Sequence, residues 1–79
     1  MLGHIVWFDA SSGEGEVEGT DGEVYYLNYT CIDGVDKNNY AYPNDDDQSR
    51  LRGIAGRAVE FTLYTNLYSS RVDWCQIRA

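Results

Sequence analysis

The run from Gly13 to Gly19, Gly-Glu-Gly-Glu-Val-Glu-Gly, admits few local structures. Side chains on a strand alternate between its faces. Glu14, Glu16 and Glu18 therefore form a ladder of carboxylates on one side, while Gly15 and Val17 face a small core. Glycines inside a strand permit tight coiling and the close approach of a second backbone or a ligand. No Lys or Arg precedes Lys37, so nothing nearby in sequence offsets the carboxylates. This strand decides what the chain can bind.

Seventy-nine residues make one small domain, residues 1–79. A chain of this size buries only about 60% of its unfolded surface, which leaves a thin core. With 43% hydrophobic and 14% aromatic residues, folding is favoured over disorder. The net charge of −7 disfavours polyanions. That charge is uneven: residues 1–36 hold eight acids and no base (−8), and residues 37–79 hold six bases against five acids (+1). Met1-Leu2-Gly3-His4 lacks the basic start and apolar run of a signal peptide. No segment is long and apolar enough for a membrane helix, so a cytoplasmic location is expected. There Cys31 and Cys75 are expected as reduced thiols rather than a disulfide, and Asn28-Tyr29-Thr30 as a chance match to the glycosylation sequon.

Taken in order, Ile5-Val6-Trp7-Phe8 predicts a strand stopped by Asp9-Ala10-Ser11-Ser12-Gly13. The glutamate ladder is the second strand and ends at Asp21-Gly22, a turn signal. Val24 to Tyr29 is a third strand of high β-propensity. Residues 35–53 form a long variable loop. Within it Tyr40 and Tyr42 fit one face of a short strand, Asp45-Asp46-Asp47 reads as a solvated loop, and Gln48 to Leu51 as one helical turn. The Asp run lacks the ligand spacing of a calcium loop, and no metal or other cofactor is expected. Val59, Phe61 and Leu63 alternate with Glu60, Thr62 and Tyr64 in a half-buried strand. Arg71 to Ile77 closes the chain as a fifth strand whose inward face is ambiguous. Five short strands with glycine-rich turns and no repeat predict an all-β, five-stranded antiparallel barrel, because closure removes exposed edges.

The order of motifs is similar to one known family. Gly3-His4-Ile5-Val6-Trp7-Phe8-Asp9-Ala10 followed by Gly13-x-Gly15-x-Val17 resembles the opening of bacterial cold-shock proteins. Tyr26-Leu27-Asn28-Tyr29-Thr30-Cys31-Ile32 resembles that family's Phe-Val-His-Phe-Ser-Ala-Ile. Gly56-Arg57-Ala58-Val59-Glu60-Phe61 is similar to the opening of its fourth strand, and Cys75-Gln76-Ile77 to its final Ala-Asn-Val. Residues 35–53 do not align. The resemblance implies an oligonucleotide-binding (OB-fold-like) barrel that binds single-stranded RNA or DNA by aromatic stacking, as a chaperone or a regulator of transcription or translation. It carries the stacking role to Trp7, Phe8, Tyr26 and Tyr29, with Asn28 in place of the family's His. Glu14 and Glu16 stand where the family has outward phenylalanines, and Ser12 and Val6 replace lysines. Base-on-aromatic stacking contributes about 1–3 kcal/mol per base, so losing two platforms weakens binding by roughly 10²–10⁴-fold.

A second class of function follows from the same substitutions. Glu14, Glu16 and Glu18 beside aromatics form an acidic face suited to a basic protein surface, as a nucleic-acid mimic or interaction module on a cold-shock scaffold. Arg50, Arg52 and Arg57 are the candidates for a basic rim. Catalysis is not expected: His4 is the one histidine, no nucleophile stands beside a base, and exposed strand carboxylates lack the burial that tunes a catalytic group.

Overall fold

The five strands form, and they close on themselves. The computed structural model describes residues 1–36 and 41–78. Its elements are β1 (Leu2–Asp9), β2 (Glu14–Gly19), β3 (Val24–Asn28), a 3-10 turn (Tyr29–Cys31), α1 (Asp45–Leu51), β4 (Ala58–Thr65) and β5 (Ser70–Ile77). The order around the closed barrel is β1-β2-β3-β5-β4, an OB-fold-like arrangement. Four seams are antiparallel, and the β3–β5 seam, at Tyr26 opposite Arg71, is parallel. The expected five-stranded, largely antiparallel OB-fold-like barrel forms, with the one parallel seam that parity requires. Strand direction cannot alternate all the way round a ring of five, so one pair must run parallel.

The ladder of β2 behaves as its alternation dictates. Gly15, Val17 and Gly19 are buried while Glu14, Glu16 and Glu18 stand outward. Gly15 faces Phe8 across the β1–β2 pair, and a methyl group placed on it would lie 2.5 Å from the Trp7 carbonyl oxygen. Only glycine lets the two backbones approach this closely. Ile5, Val17, Leu27, Val59, Phe61, Val72 and Cys75 fill the barrel.

The described residues from 41 to 54 contribute to the core. Pro43 is fully buried, and Leu51 and Ile54 join the core cluster. The Asp run, expected as solvated loop, is instead the first turn of α1. Asn44 caps it, its side chain accepting the Asp47 N–H, and the acids complement the positive end of the helix dipole. Asp45 and Asp46 are exposed, but Asp47 is fully buried. Tyr42 is exposed and belongs to no strand, and Tyr40 lies outside the described residues. Among the described residues no helix is long and apolar enough to cross a membrane.

Candidate nucleic-acid interface

The position of Trp7 depends on a local irregularity. Ile5 pairs with Val17 and Trp7 with Glu16, so Val6 is an extra residue in β1. In a regular strand Trp7 would share the inward face of Ile5. The bulge turns it outward, leaving it 44% exposed beside Glu16. Its indole N–H donates to Glu16 Oε1 at 2.6 Å.

The cross-strand pairing continues this position around the barrel. Glu16 lies opposite Tyr26, Tyr26 opposite Arg71, and Arg71 opposite Tyr64. The resulting row, Trp7–Glu16–Tyr26–Arg71–Tyr64, holds three exposed aromatics and one cation. The Arg71 guanidinium carbon lies 5.3 Å from the centre of the Tyr64 ring. Below the row, the Tyr26 hydroxyl donates to Glu14 Oε1 at 3.3 Å and accepts from Asn28 Nδ2 at 3.2 Å. Glu14 and Glu16 are thus bonded to the aromatics they flank. Glu18 lies further along the face, 3.5 Å from His4 Nε2.

Two expected stacking residues are not on this face. Phe8 follows Trp7 and points the other way, half-buried over Gly15 and packed on the core. It lines a separate pocket with Asp9, Gln48 and Arg52. Tyr29 is only 1% exposed, because the 3-10 turn that follows Asn28 carries it inward. There it packs against Gly13, whose φ of +78° and missing side chain make room for the ring next to Pro43. Burial, followed by the charges of Asp36 and Asp47, pushes the Tyr29 hydroxyl above the usual tyrosine range. Its role is core packing, which corrects the expectation of a stacking platform.

The candidate basic rim is also elsewhere. Arg50 pairs with Asp47, Arg57 donates to the Arg78 carbonyl oxygen, and Arg52 borders the Phe8 pocket. Arg71 and Tyr64, which no motif marked, reach the face through strand register. Beside them lies a pocket of about 390 Å³, bounded by Tyr26, Asn28, Thr30, Arg71 and Asp73, with buried Val72 beneath.

Cys31 and Cys75 are free thiols, and burial pushes the Cys75 thiol up to about 11. The sequence matches no family model and no curated protein.

Proposed function

We propose that this chain is a single-stranded nucleic-acid-binding module whose contact surface is the row Trp7, Tyr26, Arg71 and Tyr64. The observation that carries this reading is the alignment of three exposed aromatics with one arginine across neighbouring strands. Aromatic platforms stack successive bases whatever their sequence, and an arginine supplies a phosphate contact. Asn28, bonded to Tyr26, braces the central platform. Glu14 and Glu16 oppose the phosphate charge, so affinity is modest and rests on stacking.

Titration with short single-stranded DNA and RNA in about 50 mM salt, followed by Trp fluorescence, tests the proposal. Saturable quenching is expected at micromolar concentration. Trp7→Ala removes the signal while Trp74 remains as an internal reference, and Tyr26→Ala weakens binding by roughly 5- to 150-fold, the value of one stacked base. No response to any oligonucleotide at millimolar concentration would sink the proposal.

That second result favours the basic-partner reading, which has its own support. A carboxylate bonded to the edge of an exposed aromatic offers a cation both a counter-charge and a ring face. Lysine- and arginine-rich peptides, titrated in the same way, are the matching probe.

A further inference from the structure

The parallel seam is joined at two places, Tyr26 opposite Arg71 and the isolated bridge of Ile32 to Cys75. Between them the chain leaving β3 coils through the 3-10 turn, while β5 carries an irregularity of its own. Thr62 pairs with Trp74 and Leu63 with Val72, so Asp73 is an extra residue in β5. The two backbones part, and the gap is the pocket of about 390 Å³. Its volume falls within the range of roughly 300–1,000 Å³ typical of small-molecule sites. Bulges commonly re-aim a side chain beside a functional site. This one turns Cys75 inward, while Arg71 and Asp73, two apart on β5, share its outer face and line the same pocket.

The hydrogen-bonding capacity left open in the pocket is specific. Asn28 Oδ1 is occupied, accepting from the Thr30 N–H at 3.1 Å and from the Thr30 hydroxyl at 2.8 Å. Asn28 Nδ2 donates to Tyr26. Among the described residues the Arg71 guanidinium has a ring contact but no hydrogen bond or ion pair, and the Asp73 carboxylate has none of these. Two residues apart on β5, Arg71 therefore offers donors and Asp73 acceptors only. Bases in a single strand expose their Watson–Crick and Hoogsteen edges. Guanine alone presents acceptors (O6 and N7) on one edge and two adjacent donors (N1–H and the 2-amino group) on the next. Arginine pairs with O6 and N7, and a carboxylate with the two donors. Adenine, cytosine and uracil or thymine offer a carboxylate one donor each (N6–H, N4–H or N3–H), so guanine alone gives Asp73 a two-donor edge while presenting O6 and N7 to Arg71.

We propose that the β3–β5 gap is a guanine-selective subsite, with the base beside Tyr26, its O6/N7 edge on Arg71 and its donor edge on Asp73. This rests on the single-strand binding proposed above and adds a preference to it: where a guanine enters the gap, Arg71 takes its O6/N7 edge in place of a phosphate.

The experiment compares nine-residue thymidine oligonucleotides carrying one central guanine, hypoxanthine or adenine with the all-thymidine parent, using Trp fluorescence to obtain Kd. Guanine should tighten binding by about tenfold. Hypoxanthine, which keeps O6, N7 and N1–H but lacks the 2-amino group, should lose most of that gain, and adenine all of it. In Asp73→Asn the guanine-to-thymine ratio should fall toward one, and because the readout is a ratio within one protein, loss of folding would show separately. The hypoxanthine comparison needs no variant at all. If the all-thymidine oligonucleotide binds and guanine gives no advantage, or guanine and hypoxanthine bind alike, the subsite is overturned and single-strand binding stands. If no oligonucleotide binds, both are overturned.

Discussion

One extra residue, Val6, puts the largest aromatic of β1 outside the barrel, and one extra residue, Asp73, lets Cys75 share the inward face of Val72. Other side chains make quieter commitments. Tyr25 packs its ring on Phe61, with centroids 6.0 Å apart, and its hydroxyl donates to Asp21 Oδ2 at 2.5 Å. That bond, with burial and the charges of Asp21 and Glu23 behind it, pushes the Tyr25 hydroxyl up to about 12, and the same bond, with the Glu23 N–H, holds the Asp21 carboxyl below its ordinary value. Cys75 is raised to about 11 by burial. Both shifts favour the protonated form in the folded state, the phenol because it bonds Asp21 and the thiol because burial penalises the thiolate. Their contribution is complete below the unfolded values, about 9 for the thiol and about 10 for the phenol, and is lost as pH rises through 11 and 12. The urea midpoint should therefore be level from pH 7 to about 9 and fall beyond it. In Tyr25→Phe the part of that fall above pH 10 should shrink, with tyrosinate absorbance reporting the ionisation directly. An unchanged alkaline limb in this variant would show that the Asp21 bond contributes nothing.

At the scale of elements, legibility followed periodicity. β2 and β4 were readable because glycine, valine and phenylalanine alternate with polar residues in register with the pleat, and nothing interrupts them. β5 was ambiguous for a physical reason: its buried residues, Val72 and Cys75, are three apart, a spacing that regular alternation forbids and the Asp73 bulge allows. Tyr29 could not be placed from sequence, since nothing in Asn28-Tyr29-Thr30 announces that Asn28 caps a turn rather than extends a strand. The acidic start of α1 is not legible from composition, because three aspartates resemble solvated loop unless Asn44 is recognised as a cap. Asp47 is the informative member of that run. Its Oδ2 accepts the Asp36 N–H at 2.9 Å, its Oδ1 bonds Arg50, and its own N–H is held by Asn44. Asp47→Ala would remove the acceptor of the part-buried Asp36 N–H and the partner of Arg50. The expected loss is about 1–3 kcal/mol by urea unfolding. Asp45→Ala and Asp46→Ala remove only exposed charges at the helix start and should cost well under that, about 0.3–1 kcal/mol each. Equal losses at all three positions would contradict the division of labour within the run.

For the whole molecule, the decisive quantity is a charge of −7 on a barrel whose open face carries one arginine among several acids. An OB-fold-like binder that relied on counterion release would place many cations there, and its affinity would collapse with salt. Here the described residues bring Arg71 alone to the row and the seam pocket, with Glu14, Glu16 and Asp73 around it. One neutralised phosphate corresponds to a slope of about −0.7 in log K against log salt for a single strand. Screening works in the other direction on the carboxylates. At 0.1 M salt the Debye length is about 10 Å, so added ions weaken the repulsion between Glu14, Glu16 and the phosphates. The two effects oppose each other, and the observed slope should lie between about −0.7 and zero. Removing the cation by Arg71→Ala should carry the slope to zero or slightly positive, whereas Glu14→Gln with Glu16→Gln should return it toward −0.7, with tighter binding at low salt. A titration series between low and moderate salt measures all three. A slope steeper than about −2 in the native protein would require several phosphate contacts that this face does not provide, and would move the binding surface toward Arg50, Arg52 and Arg57.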